Sequence, residues 1–173
     1  PHVPIAVSKK FLGKSDQGLY GDLMMEIDWS VGSIINALEQ NNIIDNTLII
    51  FTSDNGPWLN FGNHAGSTGG LREGKGTSFE GGQRVPTVMM WPDVIPAGKI
   101  ANQLSSAIDI LPTVSHIVDG NLPKHKIDGI NIIEILKGEK VNPRKEFYYY
   151  YGNNNLEAVR KDNWKLILPH TSR

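Results

Sequence analysis

The stretch Thr47-Leu48-Ile49-Ile50-Phe51-Thr52-Ser53-Asp54-Asn55-Gly56-Pro57 decides how this chain is read. From Thr47 to Thr52 the residues are apolar or β-branched with no polar alternation. That pattern predicts a strand buried on both faces, as in a parallel sheet flanked by helices. The run then breaks into a carboxylate, a carboxamide, a glycine and a proline. Ligands of open α/β sheets bind beyond the carboxyl ends of the strands, so Asp54 and Asn55 stand where a site would be. One charged and one neutral oxygen donor suit a hard divalent cation such as Ca²⁺ or Mg²⁺. The same residues are good turn formers whose side chains often bond their own backbone. Taken alone, the turn is the commoner use.

Outward from this run, Leu23, Ile27, Val31, Ile34, Ile35 and Leu38 recur at helical spacing and predict a helix over 22–40. Asp22 and Glu26 would place negative charge near its positive end, and Asn41-Asn42 is a plausible stop. Residues 1–19 read as loop. Nine glycines between 54 and 84 stud a loop of a length that usually means function or disorder. A short strand is predicted over 85–91. A helix over 105–118 should start near Asp109 or kink, because Pro112 cannot sit deep inside it. A short helix or turn over 130–136 ends at Gly138. Strands over 146–151, 157–161 and 164–168 are separated by hairpin signals. The expected fold class is α/β: a mixed sheet flanked by helices, followed by the start of a small antiparallel β subdomain. The expected division is 1–143 and 144–173.

The totals narrow the function. With 173 residues, 39% hydrophobic and a net charge of −1, the chain is long enough for one core and lacks the basic excess of a nucleic-acid binder. No apolar run approaches the roughly 18–20 residues that cross a bilayer. The absence of cysteine removes disulfides, thiolate metal sites and a cysteine nucleophile from this chain. The start, Pro1-His2-Val3-Pro4, has neither an initiator methionine nor signal-peptide regions. The expectation is that the chain begins inside a larger protein.

Lys75 stands between two glycines in Arg72-Glu73-Gly74-Lys75-Gly76-Thr77-Ser78, where an anion can approach closely because no neighbouring side chain crowds the backbone. It is not a P-loop, since Gly76 replaces the required Ser or Thr. A solvated loop lysine is the ordinary alternative. Of five histidines, His2 and His64 lie in candidate site loops. Gly-x-Ser-x-Gly and H-E-x-x-H are both absent.

In order along the chain stand Pro1-His2-Val3-Pro4, Tyr20-Gly21-Asp22, Thr52-Ser53-Asp54-Asn55-Gly56 and the run from Leu71 to Gly82, LREGKGTSFEGG. Arg84-Val85-Pro86, Trp91-Pro92 and Ser106-Ala107-Ile108-Asp109-Ile110-Leu111-Pro112-Thr113 complete the set. Together they resemble the type I sulfatases, the arylsulfatase-like branch of the alkaline phosphatase superfamily, through about residue 168. The resemblance implies that Asp54 and Asn55 are two ligands of one Ca²⁺ and that Lys75 binds the sulfate and stabilises the departing alcohol oxygen. It implies that His2 contacts the sulfate ester near the leaving group. Charge builds on those oxygens at the transition state, where a cation, a lysine and a histidine are effective stabilisers. His64 and Trp58 are expected to shape the substrate pocket, with a structural role as the alternative. Gly81 and Gly82 are expected to permit a close approach, and Glu80 to tie down the loop.

The family's formylglycine nucleophile, made from Cys or Ser in a C/S-x-P-S/A-R signature, has no counterpart here, nor does an Asp-Asp pair to complete the calcium site. The resemblance therefore implies the C-terminal portion of a sulfatase, inactive by itself. Its substrate would be a sulfated carbohydrate or an aryl sulfate, and its compartment periplasmic or secreted, or lysosomal in a eukaryote. A phosphodiesterase or phosphonate hydrolase of the same superfamily is the competing enzyme reading. A noncatalytic sulfated-glycan binder is the competing reading of another class.

Overall fold

Helix α1 (Gly18–Gln40) forms where the apolar repeat places it, in a computed structural model that describes residues 1–170. Leu23, Ile27, Val31, Ile35 and Leu38 are half-buried, whereas Ile34 is 59% exposed and falls off the packed face. The helix stops at the expected asparagines. Asn42 adopts φ +54°, its N–H reaches the carbonyl of Glu39 (2.9 Å), and the N–H of Ile43 reaches that of Leu38 (3.1 Å). These are the two bonds of a Schellman cap, with asparagine in the left-handed position that glycine usually takes.

The start of α1 differs from the expectation. Gly18 lies four residues ahead of Asp22, so neither Asp22 nor Glu26 is in the first turn to meet the dipole. Both carboxylates turn back on the preceding loop instead. Asp22 accepts the N–H groups of Gly13 (2.7 Å), Lys14 (3.0 Å) and Ser15 (2.7 Å), and Glu26 accepts that of Ser8 (2.9 Å). Gly21 makes the close approach possible, because a Cβ there would overlap Ser15 Oγ. The loop also anchors through Phe11, which is buried with its ring 5.8 Å from that of Trp29.

The described chain divides into two compact units: Pro1–Thr47 with Asn55–Thr87, and Leu48–Asp54 with residues 88–170. Besides α1, the first holds 3₁₀ segments at Ile44–Asn46 and Leu59–His64 and the single-turn helix α2 (Glu80–Gln83).

In the second unit, β1 (Ile49–Thr52) pairs with β2 (Thr87–Met90) in a two-stranded sheet. The strand exists, but it is not buried on both faces. Phe51 is 38% exposed and Thr52 is exposed; burial of both faces needs layers packed over the sheet, and among the described residues β1 belongs to a sheet of two strands. The next helix resolves the Pro112 conflict as one of the two options foresaw. A 3₁₀ turn (Ala107–Asp109) leads into α3 (Ile110–Ile117), leaving Pro112 in the first turn, where its missing N–H has no intrahelical partner to lose. Helix α4 (Ile133–Leu136) ends at Gly138, φ +88°. Strands β3 (Glu146–Tyr151), β4 (Asn155–Lys161) and β5 (Trp164–Ile167) form an antiparallel meander with Glu146 opposite Lys161 and Lys161 opposite Trp164. Tyr149 and Ala158 from the meander and Ile132, Ile133 and Ile135 from the α4 region are buried. Residues 171–173 of the expected C-terminal subdomain lie outside the described residues.

Asp109 is the polar centre of this unit and fully buried. Its Oδ2 accepts the N–H of Ser106 (2.8 Å), which with the returning Ser106 hydroxyl forms a capping box. Its Oδ1 accepts the N–H of Ile130 (2.9 Å) and the Nη2 of Arg144, whose side chain is 10% exposed. One carboxylate thus ties together the start of α3, the 129–130 loop and the approach to β3.

Candidate functional site

The loop around Lys75 is held by backbone contacts that only glycine allows. The N–H of Lys75 donates to the carbonyl of Pro57 (2.8 Å), that of Gly56 to Gly82 (2.9 Å), and that of Gly81 to Arg72 (2.8 Å). A Cβ on Gly81 would overlap the carbonyl oxygen of Glu73, and one on Gly56 would overlap that of Gly81. The expected close approach at Gly81 and Gly82 is therefore real, and its effect is to bind the lysine loop to the segment that follows Asn55. The Arg72 guanidinium lies 4.1 Å from the Phe79 ring centroid, a use the sequence did not suggest.

These ties set the Lys75 loop beside Trp58, and His2 reaches the same indole, so three of the expected site residues meet within the first unit. The Lys75 ammonium lies 5.3 Å from the centroid of the Trp58 ring, inside cation–π range. The His2 ring meets the same indole edge-on at 5.8 Å. His2 Nδ1 is 2.6 Å from the carbonyl of Val3. A carbonyl can only accept, so this contact needs the proton on Nδ1 and leaves Nε2 for a ligand. Phe61, unremarked in the sequence reading, packs edge-on to Trp58 at 4.7 Å. The three-residue spacing from Trp58 was the available signal. Trp58 is still 39% exposed, so the aromatic wall has a free surface.

The other candidates stand apart. His64 is exposed at the end of its 3₁₀ segment, and among the described residues no ring contact joins it to His2 or Trp58. Asp54 is exposed and Asn55 half-buried, just past β1. Among the described residues no group of three or more His, Cys, Asp or Glu side chains is placed to hold a metal. The pair fits a hard cation by donor type, yet two oxygens are fewer than the roughly six to eight that Ca²⁺ takes.

Two carboxylate-dependent shifts lie elsewhere. The N–H bonds from Gly13, Ser15 and Lys14 hold the Asp22 carboxyl below its usual range. The hydrogen bond from Tyr148 to the Glu146 carboxylate pushes the phenol up.

Comparison with known proteins gives the family. The family model described as Sulfatase matches residues 1–120. The chain belongs to the sulfatase family. A second model, N-sulphoglucosamine sulphohydrolase C-terminal, matches residues 74–170. Human arylsulfatase D is 38% identical over 95% of the chain, and the chain spans 30% of that relative's length. A sulfatase structure from Pseudoalteromonas sp., PsFucS1, superposes with a TM-score of 0.90 at 31% identity, covering 96% of this chain and 34% of that one. A Bacteroides thetaiotaomicron structure, solved in connection with metabolism of multiple glycosaminoglycans, gives 0.84 at 32%, covering 99% and 38%. The α/β class and the small antiparallel sheet agree with these neighbours. No helix of the described residues is long and apolar enough to cross a membrane.

Proposed function

We propose that this chain supplies the anion-handling part of a sulfuric ester hydrolase, which acts on sulfate monoesters when the rest of the protein is present. The observation that carries this reading is the convergence of Lys75 and His2 on one indole. A sulfate monoester presents an anionic head and a leaving oxygen that gains charge as the S–O bond breaks. Lys75 binds the head and offsets the developing charge. His2, with Nδ1 engaged by Val3, turns Nε2 toward the ester oxygen and donates a proton there when charged. Trp58 and His64 border the part of the substrate beyond sulfur. Asp54 and Asn55 would contribute two oxygen ligands to one Ca²⁺, which when bound adds positive charge at the sulfate oxygens. The formylglycine belongs to another part of the protein.

The same reading takes residues 1–143 as the C-terminal part of the catalytic α/β domain and 144–173 as the beginning of a small antiparallel subdomain. It favours a sulfated carbohydrate as substrate, with an aryl sulfate as the simple probe. It also places the protein in the periplasm or outside the cell, or in lysosomes for a eukaryotic source.

The test is sulfate release by the product of the whole open reading frame, assayed on an aryl sulfate and a set of sulfated disaccharides. Lys75→Ala should lower kcat/KM by about 10²–10³-fold, as for loss of one transition-state donor, and calcium chelation should lower it too. The 173-residue chain alone should release none. Faster turnover of phosphate diesters than of sulfate esters, or unimpaired Lys75→Ala, would overturn the reading.

A further inference from the structure

Lys75 stands at the corner of a turn whose closure has no part in the reading above. The Thr77 N–H reaches the Gly74 carbonyl (3.2 Å), which makes Lys75 the second and Gly76 the third residue of a β-turn. Gly76 has φ +90°, the left-handed third position of a type II turn, which glycine fills without strain. The closing backbone bond is long. The Thr77 hydroxyl donates to the same Gly74 carbonyl at 2.9 Å, so one oxygen accepts twice from one residue.

The second bond matters because of where that carbonyl lies. Gly74 is buried, and a Cβ on Gly82 would stand 2.4 Å from the Gly74 carbonyl oxygen and 2.5 Å from that of Thr77. The Gly82 backbone thus covers one side of both oxygens, and their donors have to come from the protein. Past the corner, the Gln83 side-chain amide donates to the Thr77 carbonyl (2.9 Å) and ties the turn to α2. Before it, the Lys75 N–H is held by Pro57 (2.8 Å). The ammonium itself rests 5.3 Å from the Trp58 ring centroid, a contact without strict direction. Its stem is flexible, so the space it covers is set by where the turn places the backbone.

We propose that Thr77 is a positioning residue for Lys75. Its hydroxyl locks the turn that carries the lysine, with Gln83 as a second brace, and so keeps the ammonium where the leaving oxygen gains charge. The catalytic part rests on the sulfatase reading, while the locking rests on the turn alone.

Thr77→Val keeps the side-chain shape and removes the donor, whereas Thr77→Ser keeps the donor. In the product of the whole open reading frame, Thr77→Val should lower kcat for an aryl sulfate by about tenfold, part of what a misplacement near 1 Å costs. KM should move by less than about twofold, since Lys75 acts on charge that develops in the transition state. Thr77→Ser should restore most of kcat. In the Lys75→Ala background Thr77→Val should lower kcat no further, because residues acting through one group are not additive. An equal loss in both backgrounds, a loss that Thr77→Ser does not recover, or a kcat unmoved by Thr77→Val overturns the proposal. Gln83 is exposed, so Gln83→Leu tests the second brace even where Thr77→Val folds poorly; kcat should fall about two- to threefold, and an unchanged value overturns the brace.

A second measurement needs no activity. In protein labelled at the lysine carbons, the Lys75 ε-methylene signal, assigned by its loss in Lys75→Ala, should carry the ring-current shift of Trp58. Thr77→Val should reduce that shift and Thr77→Ser should keep it; the same shift in both overturns the locking. No sulfate release by the whole protein, with this pattern intact, sinks the sulfatase reading and leaves the placement of Lys75 by Thr77 standing.

Discussion

Replacing Asp109 by alanine tests whether one buried carboxylate organises the second unit. The native group is fully buried and receives two backbone N–H bonds and the Arg144 guanidinium. Removing one member of a buried ion pair costs about 3–5 kcal/mol, because the other charge is left uncompensated. Arg144 is only 10% exposed, so water does little to relieve it. The stranded N–H groups of Ser106 and Ile130 add about 1 kcal/mol each where water cannot reach them. A total of about 5–7 kcal/mol is expected. With a urea slope of about 2 kcal/mol per molar, the unfolding midpoint followed by circular dichroism should fall by about 2.5–3.5 M. Asp109→Asn keeps the shape and one acceptor but loses the charge, and should fall by about half as much. A midpoint shift below about 0.5 M for Asp109→Ala would refute the assigned role.

Asp22 gives a pH signature. Its folded pKa lies below the ordinary value of 3.8 because Gly13, Ser15 and Lys14 donate to the ionised form. The stability it contributes is therefore present above about pH 3.8 and is lost as pH falls through the lower folded value. In Asp22→Asn this part of the acid transition should disappear, and hydrogen exchange at amides 13–15 should speed up at neutral pH. Gly81→Ala would drive a methyl into the carbonyl of Glu73; overpacking of this kind costs about 1–3 kcal/mol. It should also weaken sulfate binding by shifting the Lys75 loop, read by calorimetry, and unchanged binding would argue against the glycine contacts positioning Lys75. Trp58→Leu keeps an apolar side chain but removes the ring facing Lys75 and His2. A cation–π contact at an exposed site is worth about 0.5–1 kcal/mol, so affinity for a sulfate ester should drop about two- to fivefold, with the His2 ring-proton NMR signals moved by loss of the neighbouring indole. Unmoved His2 ring signals would separate Trp58 from His2.

What the sequence determined was local. The spacing of Leu23, Ile27, Val31, Ile35 and Leu38 set the packed face of α1, Asn41-Asn42 set its end, and Pro112 set the start of α3 near Asp109. The β-rich runs and the hairpin signals between them, where Asn154 and Asp162 prove to take positive φ, set the meander. The ordered motifs from His2 to Thr113 carried the family. Each depends on neighbours a few residues apart or on a signature read as text.

The tertiary structure decided what distant groups do to each other. Asp22 read as a dipole partner of its own helix, yet it holds a loop that folds back on it. Such a choice depends on where three N–H groups end up, and no spacing encodes that. Asp109 carried no role in the sequence, because its partners Ile130 and Arg144 are 21 and 35 residues away. The burial expected for β1 depended on layers packed over both faces of its sheet, and Phe51 is 38% exposed. Lys75 and His2 were plausible singly from their loops. That Lys75 lies against Trp58 follows from the Pro57, Gly56 and Gly81 backbone contacts, and that His2 meets the same indole becomes visible only once the chain has folded back on itself.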